Sequence, residues 1–290
     1  MYSSHFKLRE NPFSLTPDPK YLFLSRQHRE AINHLIYGIK EKKGFVVITG
    51  GIGTGKTTLS RALLSRMDAS VETALIFNSY LSDMELLEVI NQEFRVAMTG
   101  IERTKRRYID ALNAFLTENY RAGKNAVVII DEAQNLSRNV LEQLRMLSNL
   151  ETETEKLLQI VLVGQPELRD MLEQPSLRQL NERISVRYHL GELSKDDVPD
   201  YIGHRLAVAG GTGHVKFAGD AFGKICDYSR GNPRRINILC DRALLVAYAG
   251  NRLEIDRKVV KRAIQDLKST DAQKGTFFAR RRKGLFARHP

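Results

Sequence analysis

The sequence is poor in cysteine and has no long apolar run. Its 290 residues include two cysteines, Cys226 and Cys240, without CxxC or Cys/His spacing. We therefore expect buried free thiols in a reducing compartment rather than a disulfide or a metal site. No stretch approaches eighteen apolar residues, so we expect no membrane-spanning helix, and the first residues lack the apolar core of a secretory signal. These absences predict a cytoplasmic protein.

Acidic residues are also in short supply, with 34 Asp and Glu against 45 Lys and Arg and a net charge of +11. This surplus favours an anionic partner: a nucleotide, a nucleic acid or the inner face of a membrane. About half of the surplus lies in residues 274–290, which hold six Lys or Arg and no acid. This segment is interpreted either as a solvated tail or as a peripheral contact with an anionic membrane, with nucleic acid as a third option.

Strand and helix patterns alternate through the middle of the chain. Five short apolar runs, each followed by a segment of helical spacing, predict an α/β fold with a five-stranded parallel sheet between two helical layers. Beyond Gly191 every segment has helical spacing, which predicts a small all-helical domain. We expect an N-terminal segment and helix over 1–44, a core over 45–192, a helical domain over 193–268 and a basic, flexible tail over 269–290.

A glycine-rich stretch lies between the first predicted strand and a predicted helix. The segment "GGIGTGKTT" fits GxxxxGK[ST] in the strand-to-helix context that a phosphate-binding loop requires. Its backbone N–H groups and the helix N-terminus would hold phosphate oxygens, with Lys56 reaching the β and γ phosphates and Thr57 binding Mg²⁺. The predicted ATP-binding residues are Gly50, Gly51, Ile52, Gly53, Thr54, Gly55, Lys56, Thr57 and Thr58.

Two acids follow the third predicted strand, in "VVIIDEAQ". Asp131 lies where an acid holds Mg²⁺ in phosphate-loop proteins. Glu132 is placed to polarise a water that attacks the γ phosphate, which favours hydrolysis over transfer to another acceptor. Acids after a strand can also form a solvated turn, but the phosphate loop one strand–helix unit earlier favours a Mg²⁺-dependent ATP hydrolase.

Two amide residues at strand ends have alternative interpretations. Gln165 would contact the γ phosphate or the water if the fourth strand lies between the first and the third; otherwise it caps the helix that begins at Pro166. Asn78 would hydrogen-bond Glu132 and hold it inactive, or it is an ordinary turn residue.

Arginines near the fifth strand are candidates for a residue that reaches the γ phosphate of a neighbouring subunit. They are Arg178, Arg183 and Arg187, of which the last two are favoured; the alternative is a solvated helix face. In "SRGNPRRINIL" a Gly-Asn-Pro turn places Arg234, ahead of Arg235, to report closure of the helical domain over the nucleotide.

In order and spacing these motifs resemble the AAA+ ATPases, which are P-loop NTPases with a helical lid. More narrowly the chain is similar to the ExeA/GspA-type ATPases of the general secretion pathway, with MshM-like and exosortase-associated relatives. The likeness covers about residues 1–267 and is carried by the opening 39 residues, "DEAQNLS", "LEQLRMLSNLET" and "IVLVGQPEL". It implies an N-terminal segment that covers the adenine, and it favours a homo-oligomer with an arginine finger in trans.

The resemblance implies a protein that couples ATP turnover to the assembly of an envelope machine: type II secretion, a pilus or exopolysaccharide export. Secretion-type members continue into a membrane span and a peptidoglycan-binding domain that this sequence does not contain, so we do not expect direct cell-wall binding. The alternative is a DNA-associated ATPase of the transposition TniB type, although no helix-turn-helix or zinc motif is recognisable. A nucleotide-dependent scaffold would require Glu132 to be dispensable.

Overall fold

The computed structural model describes residues 2–97, 103–153 and 155–269, which fall into two compact units. One unit is Leu24–Gly191, and the other joins the chain up to Phe23 with the chain from Glu192 onward. The predicted N-terminal segment 1–44 is thus divided between the two units. The predictions for the tail at 274–290 lie outside the described residues. In the described ranges no helix combines the length and the apolar character needed to cross a bilayer.

The first unit is built on a parallel sheet, as predicted. Its strand order is β2-β3-β4-β1-β5. Every residue of the two strands at its centre, β1 and β4, is buried, because helices cover both faces. The strands are β1 Phe45–Gly50, β2 Val71–Ile76, β3 Asn125–Ile130, β4 Gln159–Gly164 and β5 Ile184–Leu190.

Polar residues begin several of the helices. Ser25, Ser82, Thr104 and Ser137 each accept a hydrogen bond from a backbone N–H of the first turn, which satisfies a donor that the helix leaves open. In chain order the helices are α1 Tyr2–His5, α2 Arg26–Lys40, α3 Lys56–Leu64, α4 Asp83–Glu93, α5 Lys105–Arg121, α6 Arg138–Leu147, α7 Pro166–Leu172, α8 Arg178–Asn181, α9 Asp197–Val208, α10 Gly219–Ser229, α11 Pro233–Ala249 and α12 over 257–269.

The second unit is mostly helical, as predicted for the lid, and its core lies among α9, α10, α11 and α12. A parallel pair of two-residue strands, β6 Lys216–Phe217 and β7 Glu254–Ile255, adds to the helices. Strands this short carry no periodicity, so the sequence does not predict them. Cys226 and Cys240 are both free thiols, the second of them buried.

The N-terminal segment belongs to this helical core. Phe6, Leu8 and Phe13 are buried in it, and Phe13 lies edge-on to the ring of Phe217. The buried Arg205 donates to the carbonyl oxygens of Pro12 and Ser14, so a charged side chain also fastens the segment to α9. The division of the chain therefore follows hydrophobic contacts rather than sequence order.

Candidate nucleotide-binding and hydrolysis site

The predicted phosphate loop joins β1 to α3, and backbone geometry explains two of its glycines. Gly55, the residue before α3, has φ +102°, a conformation that side chains rarely adopt. A Cβ on Gly50 would lie 2.6 Å from the carbonyl oxygen of Leu190 and 3.0 Å from Oγ1 of Thr54. The loop is thus packed closely against the end of β5 and against its own side chains.

Lys56 is the buried cation of this loop, and the residue is 5% exposed. Its Nζ donates to the carbonyl oxygens of Gly50 at 2.8 Å and Gly51 at 3.0 Å. Burial lowers the pKa of Lys56, while the charges of Glu132 and Asp131 act in the opposite direction. The loop therefore encloses a positive charge that no hydrogen-bonded carboxylate neutralises among the described contacts.

The remaining loop residues differ in their surroundings. Thr54 is fully buried and its hydroxyl donates to the carbonyl oxygen of Gly51 at 2.9 Å, whereas Ile52 is exposed. Thr58 lies half-buried in the first turn of α3.

Thr57 and Asp131 meet across the ends of β1 and β3. The Thr57 hydroxyl donates to Oδ2 of Asp131 at 2.7 Å, and Oδ1 accepts the backbone N–H of Glu132 at 2.9 Å. Asp131 is only 2% exposed, and this burial raises its pKa despite the two hydrogen bonds. A hydroxyl and a carboxylate beside a phosphate loop fit Mg²⁺, which takes one or two protein oxygens and completes its shell with phosphate and water.

Glu132 has an unusual backbone conformation, with φ +52° and ψ +37°. The left-handed region costs a non-glycine residue on the order of 1 kcal/mol and is found preferentially at functional sites. Both backbone polar groups of Glu132 are hydrogen-bonded. Its N–H donates to Oδ1 of Asp131, and its carbonyl oxygen accepts from the hydroxyl of the buried Ser79 at 2.8 Å. The sequence gives no signal for this conformation or for the part that Ser79 plays.

Two amides hold the side chain of Glu132. Its Oε2 accepts from Nε2 of Gln134 at 2.5 Å and from Nε2 of Gln165 at 3.1 Å. Burial alone would raise the pKa of Glu132, but these hydrogen bonds and the charge of Lys56 outweigh it and lower the pKa. The carboxylate is thus kept ionised, which is the form that a general base requires.

The structure brings the predicted Gln165 to the site. The strand β4 lies between β1 and β3, which meets the condition set by the sequence. Gln165 does occupy the residue before α7, yet its side chain makes no capping bond and reaches Glu132 instead. Its contact with a γ phosphate stays a prediction.

Asn78 is an ordinary turn residue in the structure, which is the second of its two predicted alternatives. Its Oδ1 accepts the backbone N–H of Tyr80 at 3.2 Å, and no described hydrogen bond joins it to Glu132. The residue that does restrain Glu132 next to Gln165 is Gln134, which sequence reasoning did not single out. The spacing could have predicted this contact, because Gln134 follows Glu132 by two residues and two side chains so close in sequence can meet in a short turn.

The described hydrogen bonds of the candidate fingers, Arg183 and Arg187, go to none of these groups. Arg183 donates to the side chains of Ser148, at 3.0 Å, and Asn149, after the end of α6. Arg187 is exposed on β5 and donates to the backbone and side chain of Asn181. Such positions suit an intersubunit role, which stays a prediction.

The other two arginine predictions concern Arg178 and Arg234. Arg178 forms an exposed ion pair with Glu182, one turn on. Arg234 is exposed at the start of α11 in the helical unit, and its neighbour Arg235 lies over the ring of Tyr228. The role of Arg234 as a reporter of closure stays a prediction.

The parallel sheet, the phosphate loop and the acids at its edge define a P-loop ATPase of the AAA class. The chain matches the AAA domain family over residues 39–172. It is 49% identical over 249 residues to general secretion pathway protein A of Aeromonas hydrophila, an alignment that covers 86% of this chain and 45% of that protein. The chain belongs to the AAA ATPases of this ExeA/GspA type, and it spans about half the length of that curated relative.

Other similarities are more distant, and those to solved structures concern the fold. An uncharacterized HTH-type transcriptional regulator of Methanocaldococcus jannaschii is 29% identical over 159 residues, 54% of this chain and 38% of that protein. Among solved structures, ORC2 of Aeropyrum pernix has a TM-score of 0.64 at 20% identity, covering 88% of this chain and 71% of its own. The RuvB Holliday junction branch migration motor of Thermotoga maritima has a TM-score of 0.55 at 18% identity, covering 84% and 70%.

Proposed function

We propose that the protein binds ATP with Mg²⁺, hydrolyses it, and couples turnover to the assembly or function of a bacterial envelope system. The observation that carries the enzymatic part is the convergence of Lys56, the Thr57–Asp131 pair and a restrained Glu132 at one edge of the sheet. The envelope role is supported by the 49% identity to general secretion pathway protein A. Type II secretion, pilus biogenesis and exopolysaccharide export are the candidate systems.

In this mechanism Lys56 leaves the carbonyl oxygens of Gly50 and Gly51 and donates to the β and γ phosphates. Thr57 would hold Mg²⁺ through its hydroxyl, and Asp131 would hold it through the water shell. A bound Mg²⁺ would neutralise charge on the phosphate oxygens. Glu132 accepts the proton of the attacking water, and its lowered pKa keeps it ionised at neutral pH.

The positive charge that the transition state still needs would come from arginines. Arg183 or Arg187 would serve the γ phosphate of a neighbouring copy, while Arg234 would respond from the helical unit. The proposal therefore includes a homo-oligomer at the cytoplasmic side of the membrane, with an envelope-assembly protein as its partner.

A DNA-associated role is the second candidate. Two similar proteins, an uncharacterized HTH-type transcriptional regulator and a Holliday junction branch migration motor, support it. Exposed cations on α12 support it as well, namely Arg257, Lys258, Lys261 and Arg262. The basic "TKRRY" at 104–108 supports it less, because acids offset the cations there. Lys105 pairs with Asp83, and Arg106 lies 3.7 Å from Asp110.

The test is the steady-state ATPase rate over a series of protein concentrations, alone and with liposomes or DNA. Lys56→Ala serves as the blank, and Arg66→Ala, which removes an exposed arginine after α3, is the matched control for Arg183→Ala and Arg187→Ala. We expect specific activity to rise with concentration, and one of the two finger variants to abolish the rise while Arg66→Ala keeps it.

The outcomes separate the candidate functions. Activity that is independent of concentration and responds only to DNA would favour the DNA-associated role. Stimulation by anionic liposomes would favour the envelope role. Hydrolysis that Glu132→Gln leaves unchanged would contradict the proposed general base.

A further inference from the structure

Gln134 lies in the short helical turn Ala133–Asn135, directly after Glu132, and each end of its side-chain amide is hydrogen-bonded. Its Oε1 accepts the backbone N–H of Gln165 at 2.9 Å, and its Nε2 donates to Oε2 of Glu132. A backbone N–H can only donate and an ionised carboxylate can only accept, so the network fixes which way this amide faces. Gln134 therefore connects the end of β4 to the carboxylate at the end of β3.

Gly164 lies beside Gln134, and the absence of a side chain at Gly164 leaves space for the Gln134 amide. A Cβ on Gly164, the last residue of β4, would lie 2.9 Å from Oε1 of Gln134 and 2.8 Å from Cδ2 of Leu168. A side chain at position 164 would therefore push Gln134 away from the N–H of Gln165. The close approach of Gln134 to the backbone of β4 therefore requires glycine at position 164.

The two amide donors converge on a single oxygen of Glu132. Both described side-chain hydrogen bonds to this carboxylate end on Oε2, and none of those described involves Oε1. Nε2 of Gln165 donates to Glu132 at 3.1 Å and carries a second N–H, which is the donor that a γ phosphate could accept from. Gln134 would stay in place when such a contact forms, because its other end is held by the backbone.

We propose that Gln134 is a positioning residue for hydrolysis, which holds Oε2 of Glu132 and leaves Oε1 to accept the proton of the attacking water. The inference rests on the proposed ATPase mechanism and deepens it. It assigns to Gln134 the contact with Glu132 that the sequence suggested for Asn78, whose side chain is engaged in its own turn.

The test compares Gln134→Leu and Gln134→Glu with the control Asn78→Ala. Gln134→Leu removes the donor, and Gln134→Glu in addition places a second carboxylate beside Glu132 while keeping an acceptor for the N–H of Gln165. For Gln134→Leu we expect kcat to fall about tenfold, with the KM for ATP changed less than about twofold. The acid limb of the kcat–pH profile should move up by about half a pH unit or more, and further for Gln134→Glu.

A structural role alone would lower kcat without moving the acid limb. If Gln134→Leu and Gln134→Glu both leave the limb where wild type has it, or if Asn78→Ala moves it equally, the inference is overturned. Thermal denaturation of each variant checks that folding is intact.

A second measurement does not depend on turnover. Carboxyl carbons of the Glu side chains can be titrated by ¹³C NMR in the full chain, with the Glu132 signal assigned by its loss in Glu132→Gln. We expect the Glu132 pKa to rise in Gln134→Leu and to stay unchanged in Asn78→Ala; an unchanged value in Gln134→Leu overturns the inference. A wild-type protein that binds ATP without Lys56-dependent hydrolysis would instead refute the proposed function, and the titration would then show only whether Gln134 holds the carboxylate of Glu132.

Discussion

At the residue scale, the buried carboxylate of Asp131, the predicted Mg²⁺-binding acid, is expected to lower the stability of the nucleotide-free protein. Its carboxylate is almost fully buried, and its neighbours supply two hydrogen bonds but no hydrogen-bonded cation among the described contacts. Burial therefore raises its pKa, which means that the ionised form is less favourable in the folded than in the unfolded chain.

We expect Asp131→Asn to stabilise the nucleotide-free protein at neutral pH while it abolishes ATP hydrolysis. An acid with a raised pKa in the folded state lowers stability once the pH exceeds its unfolded pKa of about 3.9, and asparagine never ionises. The gain should be on the order of 1 kcal/mol, or a few degrees in Tm, and should shrink as the pH falls toward 4. Thermal denaturation between pH 4 and pH 8 measures it.

The control for this prediction is Asp83→Asn. A hydrogen bond from Lys105 lowers the pKa of the half-buried Asp83, so its ionised form is favoured in the folded chain. The substitution should lower Tm slightly above pH 4, with the effect lost as the pH falls through the folded pKa. If both variants shift Tm in the same direction, the burial argument for Asp131 is wrong.

At the scale of elements, the junction of β1, β5 and the phosphate loop limits what the loop can contain. The strands β1 and β5 pair in parallel up to Gly50 and Leu190, and the loop turns away there. The position of the loop thus depends on a strand that contributes none of its predicted phosphate contacts.

We expect Gly50→Ala to destabilise the first unit by on the order of 1–3 kcal/mol, because the new methyl group would lie 2.6 Å from the carbonyl oxygen of Leu190. Urea denaturation measures the loss. The matched control is Gly44→Ala, just before β1, where the nearest atom would be 4.0 Å away and the expected change is close to zero. Because Gly→Ala otherwise stabilises a protein by restricting the unfolded chain, equal losses of stability in the two variants would contradict the argument from close approach.

At the scale of the whole molecule, residues from the start and the end of the described chain share one hydrophobic core. Phe13 is 2% exposed in that core, whereas Leu15, two residues on, is 48% exposed. The N-terminal segment thus contributes to the stability of the helical unit, whatever its relation to a bound nucleotide.

We expect Phe13→Ala to cost the helical unit about 3–5 kcal/mol, because it removes a buried aromatic ring and leaves a cavity. Hydrogen exchange followed by mass spectrometry should show faster exchange in α9, α10 and α11 and unchanged exchange in β3 and β4. Leu15→Ala is the control and should leave both regions unchanged. Equal acceleration in β3 and β4 would show that the two units unfold together and would contradict the prediction.

Much of the fold follows from local patterns in the sequence. The buried runs, the helical spacing and the serine caps specify the strands and helices, because each depends on residues close together in the chain. The phosphate loop and the acid pair are equally local. Their spacing therefore predicts the class of the protein and the residues Lys56, Thr57, Asp131 and Glu132.

What the sequence could not specify depends on contacts between distant residues. The left-handed backbone of Glu132 is held by Ser79 and Asp131, the amide of Gln134 is oriented by the N–H of Gln165, and the N-terminal segment joins a core formed some 190 residues later. Side-chain hydrogen bonds and hydrophobic burial act between groups that only the packed chain brings together. The local motifs therefore specify which residues form the predicted site, and the tertiary packing determines the conformation and hydrogen bonds of their side chains.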